Sequence, residues 1–119
     1  MSSTTRAMEP EDVTRLVAER LNAGDAVGAA ALYEPDAVLA YPVDAPAVGR
    51  EAIQAVYQAL VDAGVRFGVE TAVPTVRFED LALTSTRSAD NTGVRVQVLR
   101  QQPDGSWLRI IDRPEVPEP

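Results

Sequence analysis

From residue 13 onward, apolar positions first recur with the period of a helix. Val13, Leu16, Val17 and Leu21 fall at i, i+3, i+4 and i+8, which puts them on one face. Pro10 precedes them where a helix tolerates a missing N–H, and Glu11 and Asp12 sit at the positive end of the helix dipole. Gly24 ends this helix, and Asp25 is a natural N-cap for a second, shorter one through AVGAAALY, which Pro35 stops. Residues 36–41 read as a strand. A third helix follows Gly49, where REAIQAVYQALVDAG sets Ile53, Val56, Tyr57 and Leu60 on one face before Gly64 closes it. Beyond Gly64 the period falls from about 3.6 residues to about 2. VRFGVETA, TVRFED, LALTSTRS, GVRVQVLRQ and SWLRIIDR then read as strands separated by Pro74, ADNTG and PDG. Helix, helix, strand, helix and a run of antiparallel strands predict an α+β domain with helices on one face of a curled sheet. The domain is expected to span 9–114, with 1–8 and the acidic, proline-rich 115–119 as flexible tails.

Composition narrows the chemistry more than the fold. The chain has 119 residues, 45% hydrophobic, enough for one core and one domain. Its formal charge is −7, so a phosphate backbone would be repelled and no nucleic-acid partner is expected. All 11 basic residues are arginines, and those of the C-terminal half are interleaved with Asp and Glu. With no cysteine and no histidine, disulfides, Cys/His metal sites, thiolate nucleophiles and Ser-His-Asp arrangements are excluded. Chemistry must come from carboxylates, tyrosines, arginines and amides, and neither a metal nor a cofactor is expected. No window approaches the roughly 18 apolar residues of a membrane span, and the N-terminus has no signal-like apolar core, so a soluble cytoplasmic protein is expected.

The sharpest local signal is Asp104-Gly105, which supplies the positive φ angles of a two-residue hairpin turn. That turn predicts Pro103 opposite Ser106, Leu99 opposite Ile110 and Gln97 opposite Asp112. Alternation then places Arg95, Gln97, Leu99, Leu108, Ile110 and Asp112 on one face, and Val94, Val96, Val98, Trp107 and Ile111 on the other. A three-residue loop would break this pairing. Polar-out patterning alone would turn the valine face inward and leave an Arg–Asp pair on the surface.

The stretch LNAGDAVGAAALYEPDAVLAYPVDAPAVGREAIQAVY, with the closing DGSWLRIIDRP, resembles the NTF2-like superfamily, in its SnoaL-like and ketosteroid-isomerase-like branch and nearest the SgcJ/EcaC-type bacterial proteins. The resemblance implies a cone-shaped fold in which three N-terminal helices pack on a curved, mostly antiparallel sheet around a pocket, often as a dimer through the outer sheet face. This scaffold hosts isomerases, cyclases, hydrolases and non-catalytic binders. The ketosteroid isomerase site does not carry over: its general base falls at Tyr41, its oxyanion tyrosine at about Val17 and its protonated aspartate near Gln97. The Arg-x-Asp and Asp set of limonene-epoxide hydrolase falls on Arg95, Gln97 and Asp112, so one of its two acids is replaced. Both comparisons imply that Arg95, Gln97 and Asp112 face the pocket.

The resulting expectation is a homodimeric protein binding a small apolar organic ligand, and a cofactor-independent enzyme of small-molecule or polyketide-like metabolism. Asp112 would be the acid/base, Arg95 would fix its charge, and Tyr41 and Gln97 would hydrogen-bond the ligand. Tyr57, on the apolar face of the third helix, would contribute core and pocket wall. Trp107 is expected in packing or a dimer contact, Asp44 in a loop at the mouth, and Glu70 and Arg87 on strands of undetermined register. A non-catalytic dimerisation or ligand-sequestering module is the alternative.

Overall fold

The computed structural model describes residues 5–68, 70–87 and 93–114, so the tail expected at 115–119 lies outside the described residues. Three helices, α1 (Pro10–Asn22), α2 (Ala26–Ala30) and α3 (Arg50–Asp62), pack on six strands: β1 (Tyr33–Leu39), β2 (Ala47–Val48), β3 (Thr71–Phe78), β4 (Leu81–Arg87), β5 (Val94–Gln101) and β6 (Trp107–Arg113). The strands form one sheet in the order β2-β1-β6-β5-β4-β3, antiparallel throughout except that β1 runs parallel to β6. This is the expected α+β cone. Among the described residues no helix is long and apolar enough to cross a membrane.

The helix signals act as expected. Asp25 Oδ1 accepts from the Gly28 N–H at 2.8 Å, capping α2, and Val13, Leu16, Leu21 and Ile53 are buried against the sheet. α2 ends at Ala30 and not at Tyr33, because a residue that precedes proline is pushed to extended backbone, and Glu34 precedes Pro35. β1 therefore begins at Tyr33. It tolerates Pro35 because β2 pairs only with Val38 and Leu39, which leaves that stretch an edge with no ladder bond to lose. The N-terminal stretch expected to stand apart is drawn in from residue 5. Ala7 is buried, its carbonyl accepts from Trp107 N at 2.8 Å, and the buried Arg20 donates to Gly28 O and Thr5 O.

The β5–β6 hairpin departs from expectation twice, and the departures cancel. Its loop has three residues, with Gly105 at φ +88°, Gln102 N bonded to Ser106 O and Gln101 paired with Trp107. That slip is undone by a bulge: Leu99 pairs with Arg109, Val98 with Ile111, and Ile110 is the extra residue. Gln97 lies opposite Asp112 as expected, but the strand has changed phase on the way. Trp107 and Arg109, on the turn side of the bulge, point inward with Asp112 on its far side. Leu108 and Ile111, opposite Arg100 and Val98, point outward. Trp107 is consequently not on the valine face or at an exposed contact. It is 2% exposed and belongs to the core, with the Arg77 guanidinium 5.2 Å from its ring.

The outer face of the sheet carries an apolar row. Val76, Leu83, Val98, Ile111, Val38 and Val48 are consecutive register partners, one from each strand, and Val76, Ile111 and Val48 are 61%, 50% and 67% exposed. The valines of β5 thus face outward, against polar-out patterning.

Burial of the indole sets a first prediction. Trp107→Ala should lower stability by about 3–5 kcal/mol in denaturant unfolding, as for other buried aromatic deletions, where a surface tryptophan would cost little.

Candidate functional site

The site is built from α1, α3, β1, β5 and β6 around a cavity of about 300 Å³. At its floor lies a buried polar cluster. The Tyr33 side chain, the first of β1, is fully buried, and Arg50 holds its backbone carbonyl through Nε at 3.0 Å. The Tyr33 hydroxyl donates to Asp112 Oδ2 at 2.5 Å. Arg109 Nη1 donates to the same Oδ2 at 3.1 Å and to the Tyr33 oxygen at 2.9 Å, while its Nη2 donates to Thr14 Oγ1 at 3.0 Å. The Arg109 guanidinium also lies 5.5 Å from the Tyr33 ring centroid. The Arg109 and Asp112 side chains are only 5% and 4% exposed, an ion pair within the fold.

Proton counting orients the remaining bond. Tyr33 has one hydroxyl proton, and the carboxylate takes it. The 2.5 Å contact between the Tyr33 and Tyr57 hydroxyls must then have Tyr57 as donor. Tyr57 is left with lone pairs to offer, so it presents an acceptor to the cavity that it lines. Burial pushes the Tyr57 hydroxyl up to about 12, the Asp112 charge adding to it against Arg109. Burial and then Asp112 push Tyr33 well above its ordinary value too. For Arg109 burial acts in the lowering direction but is outweighed by Tyr33 and Asp112, so its pKa is raised and the guanidinium stays charged.

Tyr41, Tyr57, Arg95, Gln97 and Asp112, the residues singled out from the sequence, all line this one cavity. Their relations differ from those expected. Arg95 does not hold Asp112. Its Nε lies 3.0 Å from Glu70 Oε2, an ion pair, and Thr86 Oγ1 donates to the other Glu70 oxygen at 2.8 Å. The reason is register: Arg95 pairs with Thr86 on β4, and on the β6 side Asp112 is opposite Gln97, a step of two residues away. Arg109 occupies the role assigned to Arg95. Gln97 is 2% exposed, and Thr84 Oγ1 donates to its Oε1 at 2.7 Å, which turns the Gln97 amide NH₂ toward the cavity. Tyr41 is 41% exposed at the rim, beyond the end of β1 and before the cis bond to Pro42. Asp44 is exposed, and Arg87 is exposed at the end of β4.

Asp112 Oδ1 is buried and has no hydrogen-bond partner among the described residues. Nearby walls are apolar, with Val17, Leu21, Leu39, Val56 and Leu60 among them. A second cavity of about 430 Å³ between α1 and the β3–β4 hairpin shares Thr14, Phe67 and Glu70 with the first but is lined by neither Asp112 nor Arg109. Among the described residues no group of three or more Asp and Glu side chains is placed to hold a metal ion.

Sequence reasoning missed Tyr33 and Arg109. Tyr33 was legible in principle, since Tyr-Glu-Pro forbids the helix that the alanines suggest. No signal in the sequence announces the bulge at Ile110, and without it alternation sends Arg109 outward.

Residues 13–112 match the family model of the SnoaL-like domain. No curated protein sequence matches the chain. Among solved structures, a ketosteroid isomerase-like protein from Erwinia carotovora superposes with a TM-score of 0.72 at 20% identity, covering 91% of this chain and 94% of its own. An NTF2-like protein with a cystatin-like fold from Novosphingobium aromaticivorans gives 0.63 at 21% identity, covering 86% and 75%. A protein from Thiobacillus denitrificans, named for a calcium/calmodulin-dependent protein kinase type II association domain, gives 0.77 at 20% identity, covering 97% and 99%. At these identities the likeness is one of fold.

Two predictions separate the buried pair from the peripheral one and test the tyrosines. Arg109→Met should cost about 3–5 kcal/mol in chemical denaturation by leaving Asp112 buried without its cation. Arg95→Met should cost no more than about 1 kcal/mol, because the Arg95 side chain is 36% exposed. For the tyrosines, a raised folded pKa means that the folded state binds more protons than the unfolded chain between pH 10 and about 12. The contribution of Tyr57 is therefore complete below pH 10 and is lost as pH rises through about 12. In a Tyr41→Phe background, phenolate absorbance should lag behind that of the denatured protein across this window and rise together with alkaline unfolding.

Proposed function

Because the chain belongs to the SnoaL-like domain family, we propose that it binds a small, largely apolar organic molecule in the 300 Å³ cavity and that Asp112 acts there as the acid/base toward the bound molecule. The observation that carries this reading is Asp112 Oδ1, buried and without a donor on a cavity wall. Leaving such an oxygen unpaired costs about 1–3 kcal/mol or more, and a ligand O–H or acidic C–H would relieve that cost. Oδ2 is held by Tyr33 and Arg109, so the free oxygen is oriented by the other's bonds, as a positioned base requires. Gln97 and Tyr57 supply a donor and an acceptor beside it, and Tyr41 stands at the entrance. The reaction would be of isomerase, cyclase or hydrolase type, in the cytoplasm, with the protein's own side chains as its catalysts.

One observation favours a non-catalytic reading. Arg109 and the Tyr33 hydroxyl already tie the carboxylate into the fold through Oδ2, a structural use of the group, so a sequestering module with the same ligand stands as the second reading. Thermal-shift screening of neutral organic compounds against wild type and Asp112→Asn tests both. Ligands at about 100 times Kd should stabilise the wild type by about 2.7 kcal/mol. Hits that are consumed by wild type and not by Asp112→Asn support the enzyme, and hits bound without turnover support the module. Hits that stabilise both proteins equally discard Asp112 as the contact.

The same reading includes a homodimer through the outer sheet face. The exposed row Val76-Leu83-Val98-Ile111-Val38-Val48 is an apolar surface of the kind that associates. A structural relative is itself named an association domain. Sedimentation should show a dimer that Ile111→Glu converts to a monomer with an unchanged circular dichroism spectrum. A monomeric wild type at tens of micromolar would discard the interface.

A further inference from the structure

The polar groups on the cavity wall are sorted in a way that specifies the ligand's head group. The two carboxylates on the cavity wall already have counter-charges: Asp112 is paired with Arg109, and Glu70, 14% exposed, with Arg95, while Arg66 at the exposed mouth donates to the Asn22 carbonyl. An ionic ligand would add a charge that these pairs cannot compensate without breaking one of them. What the inner part of the wall offers, away from Arg66 at the mouth, is paired in charge and directional. Asp112 Oδ1 can only accept a hydrogen bond and lacks a donor. Gln97 has its amide donors to offer, because Thr84 holds its carbonyl oxygen on the β4 side. Tyr57 can only accept there, because its proton goes to Tyr33.

Position adds the second constraint. Gln97 and Asp112 are direct register partners across β5 and β6, so their side chains leave the sheet side by side, with Cβ atoms about 4.5–5.5 Å apart. One ligand can therefore satisfy both only if its donor and its acceptor sit on neighbouring atoms. The walls beyond, from Val17 and Leu21 of α1 to Val56 and Leu60 of α3, are hydrocarbon.

We propose that the ligand is an uncharged hydroxy-carbonyl compound, its hydroxyl donating to Asp112 Oδ1, its adjacent carbonyl oxygen accepting from the Gln97 amide, and its apolar body lying between α1 and α3. This rests on the cavity being a ligand site, as proposed above, and goes further by fixing the head group. It also explains the glutamine: a second acid at position 97 would repel Asp112 or compete for the hydroxyl, whereas an amide reads the carbonyl.

The test is a matched series sharing one phenyl body: α-hydroxyacetophenone, acetophenone, phenethyl alcohol and the anion phenylglyoxylate, titrated by NMR against the wild type and Gln97→Leu. In the wild type, α-hydroxyacetophenone should bind at least about tenfold more tightly than each of the other three, the gain of one charge-assisted hydrogen bond. In Gln97→Leu its advantage over phenethyl alcohol should vanish while its advantage over acetophenone remains. Equal binding of acetophenone and α-hydroxyacetophenone to the wild type, or tightest binding of phenylglyoxylate, overturns the head-group assignment and leaves the pocket standing. Absence of binding by all four, with no shift of the Tyr57 or Gln97 resonances, overturns the pocket reading together with this one. The wild-type series stands without the variant, so misfolding of Gln97→Leu does not spoil the comparison.

Discussion

The buried pair of Arg109 and Asp112 is the constraint around which the interior is arranged. Two charges cannot be taken from water without partners, and each removed alone would leave an uncompensated charge in the core. Beyond the pair itself, the protein supplies partners from Thr14 on α1 and Tyr33 on β1, and Tyr57 on α3 bonds the Tyr33 hydroxyl in turn. The helices are thereby registered to the sheet at this point, which Arg50 of α3 reinforces by holding the Tyr33 carbonyl. One oxygen of the Asp112 carboxylate, on a residue that lines the cavity, is left outside this accounting.

The pair depends in turn on a backbone irregularity. Residues three apart on a regular strand lie on opposite faces, and an i,i+3 ion pair cannot form there. The bulge at Ile110 absorbs one residue, so Arg109 and Asp112 share the inner face while Gln97 stays opposite Asp112. The three-residue loop at Pro103-Asp104-Gly105 and the bulge each shift the hairpin by one, in opposite senses. Between the two shifts the strand presents Trp107 and Arg109 inward, and beyond the bulge it returns to the simple pairing. Bulges are used in this way to re-aim side chains near sites.

The sheet mixes polar groups into its covered face, beside Leu39, Ala82, Leu99 and Trp107 of the core, and keeps apolar ones on its open face. Its inner face carries Thr84, Thr86, Gln97, Arg109 and Asp112, and its outer face an apolar row that crosses every strand. Helices covering the concave side make its polar groups a pocket lining and not a surface. The convex side, where solvent would ordinarily select polar residues, retains valine and isoleucine, and a second copy is the simplest cover for them. Pocket lining and apolar row thus occupy opposite faces of the same strands.

Much of this was legible in the chain. The helices were written in the periodicity of Val13, Leu16, Val17 and Leu21 and of Ile53, Val56, Tyr57 and Leu60, and the N-cap at Asp25 in its own chemistry, because such signals depend on neighbours within a few residues. Arg95, Gln97 and Asp112 could be placed on one cavity from strand alternation and resemblance. The sequence by itself therefore determined the order of the helices and β1, the fold family and the absence of histidine and cysteine chemistry, but not β2 or the single β3, which runs through Pro74 where two strands were expected. Tertiary structure decided which arginine meets Asp112, that Tyr33 holds it, that Trp107 is core, and that the valine face looks outward. Each of those depends on a bulge, a loop of one residue more, or the choice of concave side. These are set by packing between segments distant in sequence, and a one-residue change in phase reverses every side chain that follows.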